Sequence, residues 1–222
     1  MKFESPVHPR RDDTLRRLWF ARLTGLLAML ILPTVWASSP EAIVRDATQS
    51  LIQAVEVNRD AIERDPEQVK TLIEEFVAPQ IDFQIMSRVI LGQHWRSATP
   101  DQRARFVQAF RGFLVRFYTT AIKEYVVQEG IPEQVSVEVL PLRDEPSGRT
   151  TRVKSRILQN GRAPVEVTYG LYRTDQNGWR LIDIQIEGIS LVINYRQSFS
   201  RELQTSGLDD LIANLEARDN PA

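Results

Sequence analysis

The chain has 222 residues, 42% hydrophobic and 26% charged, which suits one globular domain or two small ones. It contains no cysteine and only two histidines, so disulfides are excluded and zinc or iron sites have few ligands to draw on. With 28 basic against 29 acidic side chains and no basic run, it is a poor nucleic-acid binder.

Residues 1–37 read as an export signal. A basic start (Arg10, Arg11, Arg16, Arg17, Arg22) precedes the apolar run from Leu23 to Val35, which closes on Val35-Trp36-Ala37 like a small-x-small cleavage site. That run is short for a membrane span. The expected mature domain is 38–222, with 22 basic and 26 acidic residues and a net charge of −4. Held by no disulfide, such a domain must rest on its core alone.

Helical spacing dominates as far as Gly130. Ile43, Ala47, Leu51, Ala54 and Val55 recur on one face between Pro40 and Asn58. Asp65 with Pro66 opens a second helix, which must stop before Pro79. Asp82 caps a third that ends near Leu91, with Gly92 as its exit. Thr99, Pro100 and Gln102 form a capping box for the longest helix, which carries Phe106, Phe110, Phe113, Leu114, Phe117, Tyr118, Ala121 and Tyr125 as a wide aromatic stripe.

Alternation then replaces helical spacing. Val135, Val137 and Val139 share a face, as do Val153, Ser155 and Ile157, with Arg152, Lys154 and Arg156 opposite. Val165, Val167, Tyr169 and Leu171 form a third face, and Ile182, Ile184 and Ile186 a fourth. Asn160-Gly161 and the DQNG at 175–178 are hairpin turns. The predicted fold is α+β, with N-terminal helices packed on an antiparallel four-stranded meander. C-terminal helices follow, one carrying Leu191, Val192, Tyr195 and Phe199 and a last one after Gly207.

No phosphate-binding glycine loop and no nucleophile elbow is present. Ser190, His94 and Asp183 compose a triad only on paper, since triads are recognised by geometry. His94 follows a helix exit, where an imidazole can bond free carbonyls, and Trp95 would plug the same corner; the expectation is a structural pair. No catalytic residue and no metal site is assigned. The apolar helix and strands either fill a core or enclose a cavity, and periodicity does not distinguish the two.

Two ordered blocks carry a resemblance. The first is Leu91, Gly92, His94, Trp95, Thr99, Gln102, Phe106, Phe110, Leu114 and Tyr118. The second is Val167, Tyr169, Leu171, Trp179 and Asp183, followed by Gly188, Ser190, Leu191, Asn194, Tyr195, Arg196 and Phe199. Over about residues 40–215 the chain resembles the MlaC, or toluene-tolerance, family, with Phe117 where that pattern often has a small polar residue. The resemblance implies an NTF2-like fold and a periplasmic carrier, not an enzyme. It further implies a phospholipid ligand and no cofactor. The implied partners are an inner-membrane ABC lipid transporter complex and an outer-membrane lipoprotein–porin complex, with the carrier expected to act as a monomer. The expected lipid-lining residues are Phe106, Phe110, Leu114, Tyr118, Val153, Val167, Tyr169, Ile184 and Val192. A hydrolase using His94 or Asp183, or a periplasmic chaperone with a filled core, are the alternatives.

Overall fold

The computed structural model describes residues 39–175 and 178–217. The proposed leader at 1–37 and two residues of the second hairpin turn, 176 and 177, lie outside them.

Eight α-helices and five strands occur among the described residues. Helix α1 (Pro40–Val57) is capped by Ser39, whose hydroxyl accepts from the Ala42 N–H. Short α2 (Arg59–Arg64) follows. Helix α3 (Gln68–Leu72) runs into a π-helical turn at Ile73–Val77 and a 3-10 turn at Ala78–Gln80, where Pro79 cannot continue an α ladder. Helix α4 (Phe83–Leu91) starts on the Asp82 carboxylate, which accepts from the Ile85 N–H at 2.8 Å. It ends at Gly92, whose φ of 55° favours glycine; a side chain there would also meet the Arg196 guanidinium. Helix α5 (Gln93–Ser97) makes the corner before α6 (Pro100–Glu129), which opens on the expected Thr99–Gln102 capping box.

The strands are β1 (Val135–Val139), β2 (Thr150–Gln159), β3 (Val165–Arg173), β4 (Trp179–Ile186) and β5 (Ile189–Ser190), antiparallel and in sequence order. The fifth strand adds to the four expected. It is a two-residue return after the turn at Glu187-Gly188, where Gln185 donates to the Gly188 carbonyl at 2.7 Å. Helices α7 (Leu191–Thr205) and α8 (Leu208–Ala217) complete the domain.

One expectation about β4 fails. The register slips between Gly170 and Leu171, so Leu181 pairs with Leu171 while Asp183 pairs with Gly170. The bulge therefore gives the core position to buried Leu181 and takes Ile182 out of the alternation; Ile184 and Ile186 stay inward. The sheet's other face is solvated, and Arg152, Lys154 and Arg156 are exposed there.

Three apolar clusters hold the domain. Phe106, Phe110, Phe199, Leu211 and Ile212 knit α6 to α4, α7 and α8. Val44 at the start of α1 packs with Val153, Leu171 and Trp179 on the sheet. Ile62, Leu72 and Val115, with Leu51 and Val55 against them, join α1 to α2, α3 and α6. Helix α1 thus lies tight on the sheet at its first turns and belongs to a helical cluster at its last. Its N-terminal end is pinned by Glu41, whose carboxylate accepts from the Leu142 N–H at 3.1 Å. The space between sheet and helices opens as a wedge from that end.

Candidate functional site

The wedge encloses a cavity of about 600 Å³. Leu51, Ile52 and Val55 of α1 form one wall, with Leu72, Ile73 and Val77 continuing it through the π-helical turn. Leu114, Val115, Tyr118 and Ile122 of α6 form a second. The floor is the sheet, through Val135, Val137, Ile157, Tyr169, Ile184 and Ile186, and Leu191 closes a side. These strand residues share one face because their registers align Val137 with Ile157 and Tyr169 with Ile184. The volume falls within the range of roughly 300–1,000 Å³ usual for small-molecule sites.

Polar groups on the wall are few and mostly spoken for. The Thr48 hydroxyl bonds back to the Val44 and Arg45 carbonyls. The Arg59 guanidinium donates to the Ile131 and Pro132 carbonyls, both at 2.8 Å, and ties α2 to the loop before β1. Burial, with the Tyr195 hydroxyl beside it, pushes the Tyr118 phenol well above its ordinary range. Burial also raises Tyr169. Both phenols are therefore neutral at physiological pH, and the charged groups on the wall are Glu56 and Arg59 at its rim. A second, shallower recess of about 400 Å³ lies between α1 and α3. Gln53, Asn58, Gln68 and Glu75 line it, so it suits polar contacts and not alkyl chains.

The structure divides the nine residues predicted from sequence. Leu114, Tyr118, Tyr169 and Ile184 stand on the cavity wall. Phe106 and Phe110 do not; they stack at 5.8 Å inside the helical cluster, which also holds Val192. Val153 and Val167 are covered in the cluster on the sheet. The division has one cause. The stripe on α6 changes neighbours along its length, from three helices to open space. Helix α7 places Leu191, not its neighbour Val192, at the wall. The contribution of α1 and the π-helical turn was missed as lining, although Leu51 and Val55 already stood out as an apolar face.

The Ser190–Asp183 pair has a clear occupation. Ser190 Oγ donates to an Asp183 carboxylate oxygen at 2.7 Å and accepts from the Ile193 N–H at 3.1 Å. The other Asp183 oxygen accepts from the Val192 N–H at 3.1 Å. Together they cap α7. Gly170 lies beneath them because a side chain there would come within 3.1 Å of the Asp183 Cβ. A serine whose proton is directed at a capping carboxylate is not an activated nucleophile. His94 is half-buried in α5, and its imidazole makes no hydrogen bond among the described residues, contrary to the expected carbonyl contact. Arg103 holds that corner instead, donating to the Trp95 carbonyl at 2.9 Å and the Arg96 carbonyl at 3.1 Å. No group of three potential metal ligands occurs among the described residues.

A family model described as MlaC protein matches residues 45–217. The chain belongs to the MlaC family. It is 23% identical over 202 residues to the intermembrane phospholipid transport system binding protein MlaC of Haemophilus influenzae, covering 89% of this chain and 91% of that one. It is 27% identical over 188 residues to the toluene tolerance protein ttg2D of Pseudomonas putida, covering 84% and 83%. Among solved structures, the phospholipid-binding protein of Ralstonia solanacearum, determined in complex with a phospholipid, superposes with a TM-score of 0.70 at 24% identity, over 82% of this chain and 97% of that one. That likeness carries the fold. MlaC membership and this mixed helix-and-sheet architecture agree with the reading made from the two residue blocks.

Proposed function

We propose that this MlaC-family chain is an exported carrier that covers the tails of a glycerophospholipid in its apolar cavity and moves the lipid between membranes. The observation that carries the reading is the cavity itself: about 600 Å³ lined mainly by Leu, Ile, Val and Tyr, in a chain whose relatives are named for phospholipid transport and toluene tolerance. Burying an acyl chain is worth ~0.8 kcal/mol per methylene, so about 15 methylenes represent on the order of 12 kcal/mol. Lipid therefore crosses an aqueous compartment only with its tails covered. A mainly apolar interior, with Glu56 and Arg59 only at its rim, leaves the head group outside and places few demands on its identity.

In this reading residues 1–37 direct export to the periplasm and 38–222 form a monomeric binding domain. An outer-membrane lipoprotein–porin complex and an inner-membrane ABC transporter exchange lipid with it, which maintains the asymmetry of the outer membrane. No bond is made or broken. The capping role of Ser190 and Asp183 supports a carrier over a hydrolase. Among the described residues no helix is long and apolar enough to cross a membrane. Mass spectrometry of an organic extract of the purified protein tests the proposal. Stoichiometric diacyl phospholipid is expected; protein free of lipid after expression and after incubation with vesicles would refute it.

A further inference from the structure

The cavity wall reaches solvent at few places. Of its apolar residues only Ile122 and Ile186 are exposed, at 39% and 42%. They belong to α6 and to the last residue of β4. Ile189 pairs with Ile186 across the β4–β5 turn, and Phe117 lies one position before Tyr118 on α6; both are exposed as well. The remaining exposed wall residue, Glu56, belongs to α1. The cavity thus has two kinds of border with water: a charged one at Glu56 and Arg59, and an apolar window at Ile122 and Ile186.

One polar clasp borders the window. The Arg162 guanidinium, in the β2–β3 turn, donates to the Tyr125 hydroxyl at 3.1 Å and to the Glu129 carboxylate at 2.9 Å. On the other side, Tyr118 of α6 and Tyr195 of α7 neighbour one another. Ile122 lies one helical turn from Tyr118 and one from Tyr125, hence between them.

We propose that acyl chains pass in and out through this window between Ile122 and Ile186, and that the Arg162 clasp sets its width. An alkyl tail leaving past apolar side chains exchanges one apolar contact for another, whereas leaving past Glu56 and Arg59 sets it against groups that hold water. The inference rests on the carrier reading and adds the route.

The chain has no native cysteine, so single thiols can be placed cleanly. Ile186→Cys, Glu56→Cys and, as a control, Val127→Cys are made in the whole protein; Val127 is 73% exposed on α6 and off the cavity wall. Each folded variant is coupled to a bulky maleimide. Transfer of fluorescent phosphatidylethanolamine is then followed between vesicles of phosphatidylethanolamine and phosphatidylglycerol. Labelled Ile186→Cys should transfer about tenfold more slowly, the effect of exposing some two more methylenes at the barrier. Labelled Val127→Cys should match the unlabelled protein, and labelled Glu56→Cys should slow transfer less than labelled Ile186→Cys. Arg162→Ala should transfer about fivefold faster, the change expected from one net hydrogen bond, with unchanged lipid stoichiometry. Normal transfer by labelled Ile186→Cys, or slowing confined to labelled Glu56→Cys, overturns the route and leaves the carrier reading standing. An unmodified protein that takes up no lipid from the donor vesicles overturns both.

Discussion

In the first half of α6, Phe106 and Phe110 stack on one another and meet Phe199 edge-on at 6.1 and 5.9 Å. In its second half, Tyr118 and Ile122 border the cavity. The residue types are similar and the periodicity continues without a break. What differs is the opposing surface. Helices α4, α7 and α8 bring long side chains such as Ile90, Phe199 and Leu211 against the first half, in one buried cluster. The second half shares the cavity wall with strand residues, many of them β-branched, such as Val135, Val137, Ile157 and Ile184. The last turns of helix α1 pack with α2, α3 and Val115 of α6, and line the cavity without filling it. A cavity here is a property of what stands opposite an apolar stripe, not of the stripe.

Breaking the filled half should have the largest effect. Phe110→Ala removes a fully buried ring from a packed cluster, at an expected cost of about 3–5 kcal/mol. Truncating a residue on the cavity half, as in Val137→Ala, removes fewer methyl groups and creates no new enclosed void; about 1 kcal/mol is expected. Urea unfolding of both variants checks the contrast. Equal losses would mean that the second half is as tightly packed as the first.

The comparison sharpens when bulk is added instead of removed. Val137 stands on the cavity wall, so Val137→Trp should place its ring where acyl chain would lie. Lipid stoichiometry should collapse while the unfolding midpoint changes little. Val167 is on the same sheet face but buried between its strand neighbours Ser155 and Ile186. Val167→Trp should therefore act as overpacking, costing about 1–3 kcal/mol. If instead Val167→Trp is as stable as the parent and has lost its lipid, the boundary between packed and hollow regions has been drawn in the wrong place.

Much of this architecture was legible in the sequence because it rests on local rules. The Thr99–Gln102 capping box, the Gly92 exit and the β2–β3 turn at Asn160-Gly161 were each read from a few adjacent residues, and the alternation of β1, β2 and β3 from period two. What local rules do not contain is which apolar surface meets which. Phe106 and Leu114 lie on the same stripe, yet one is packed among helices and the other borders the cavity. The β4 bulge is invisible for the same reason: Leu181, Ile182 and Ile184 are interchangeable as apolar residues until pairing with β3 selects among them. The Ser190–Asp183 cap spans seven residues across a turn and looked like two members of a triad on paper.

That cap supplies a smaller test. Ser190→Ala removes an N-cap oxygen from α7 and leaves Asp183 with one backbone partner, for an expected loss of about 1 kcal/mol. Lipid stoichiometry should not change, because Val192 and the turns after it pack in the filled half. A variant that keeps full stability but gains or loses an esterase activity would contradict the assignment of this pair as a cap.

The smallest effect is expected at His94, where the corner next to the filled half can be compared side chain by side chain. Its backbone carbonyl accepts from the Ala98 N–H and the Ser97 hydroxyl, but its imidazole has no hydrogen bond among the described residues. His94→Gln therefore removes no polar contact, and its cost should stay within ~0.5 kcal/mol. Arg103 is the opposite case: it donates to two carbonyls of α5 and lies over the Trp95 ring at 5.6 Å. Arg103→Ala should cost about 1.5 kcal/mol, the lower end for hydrogen bonds from a charged donor. Neither substitution touches the cavity wall, so both variants should carry lipid as the parent does. Chemical denaturation ranks the two directly. A loss at His94 that exceeds the loss at Arg103 would mean that the imbalance runs the other way and that the imidazole, through van der Waals contact alone, holds α5 against α6.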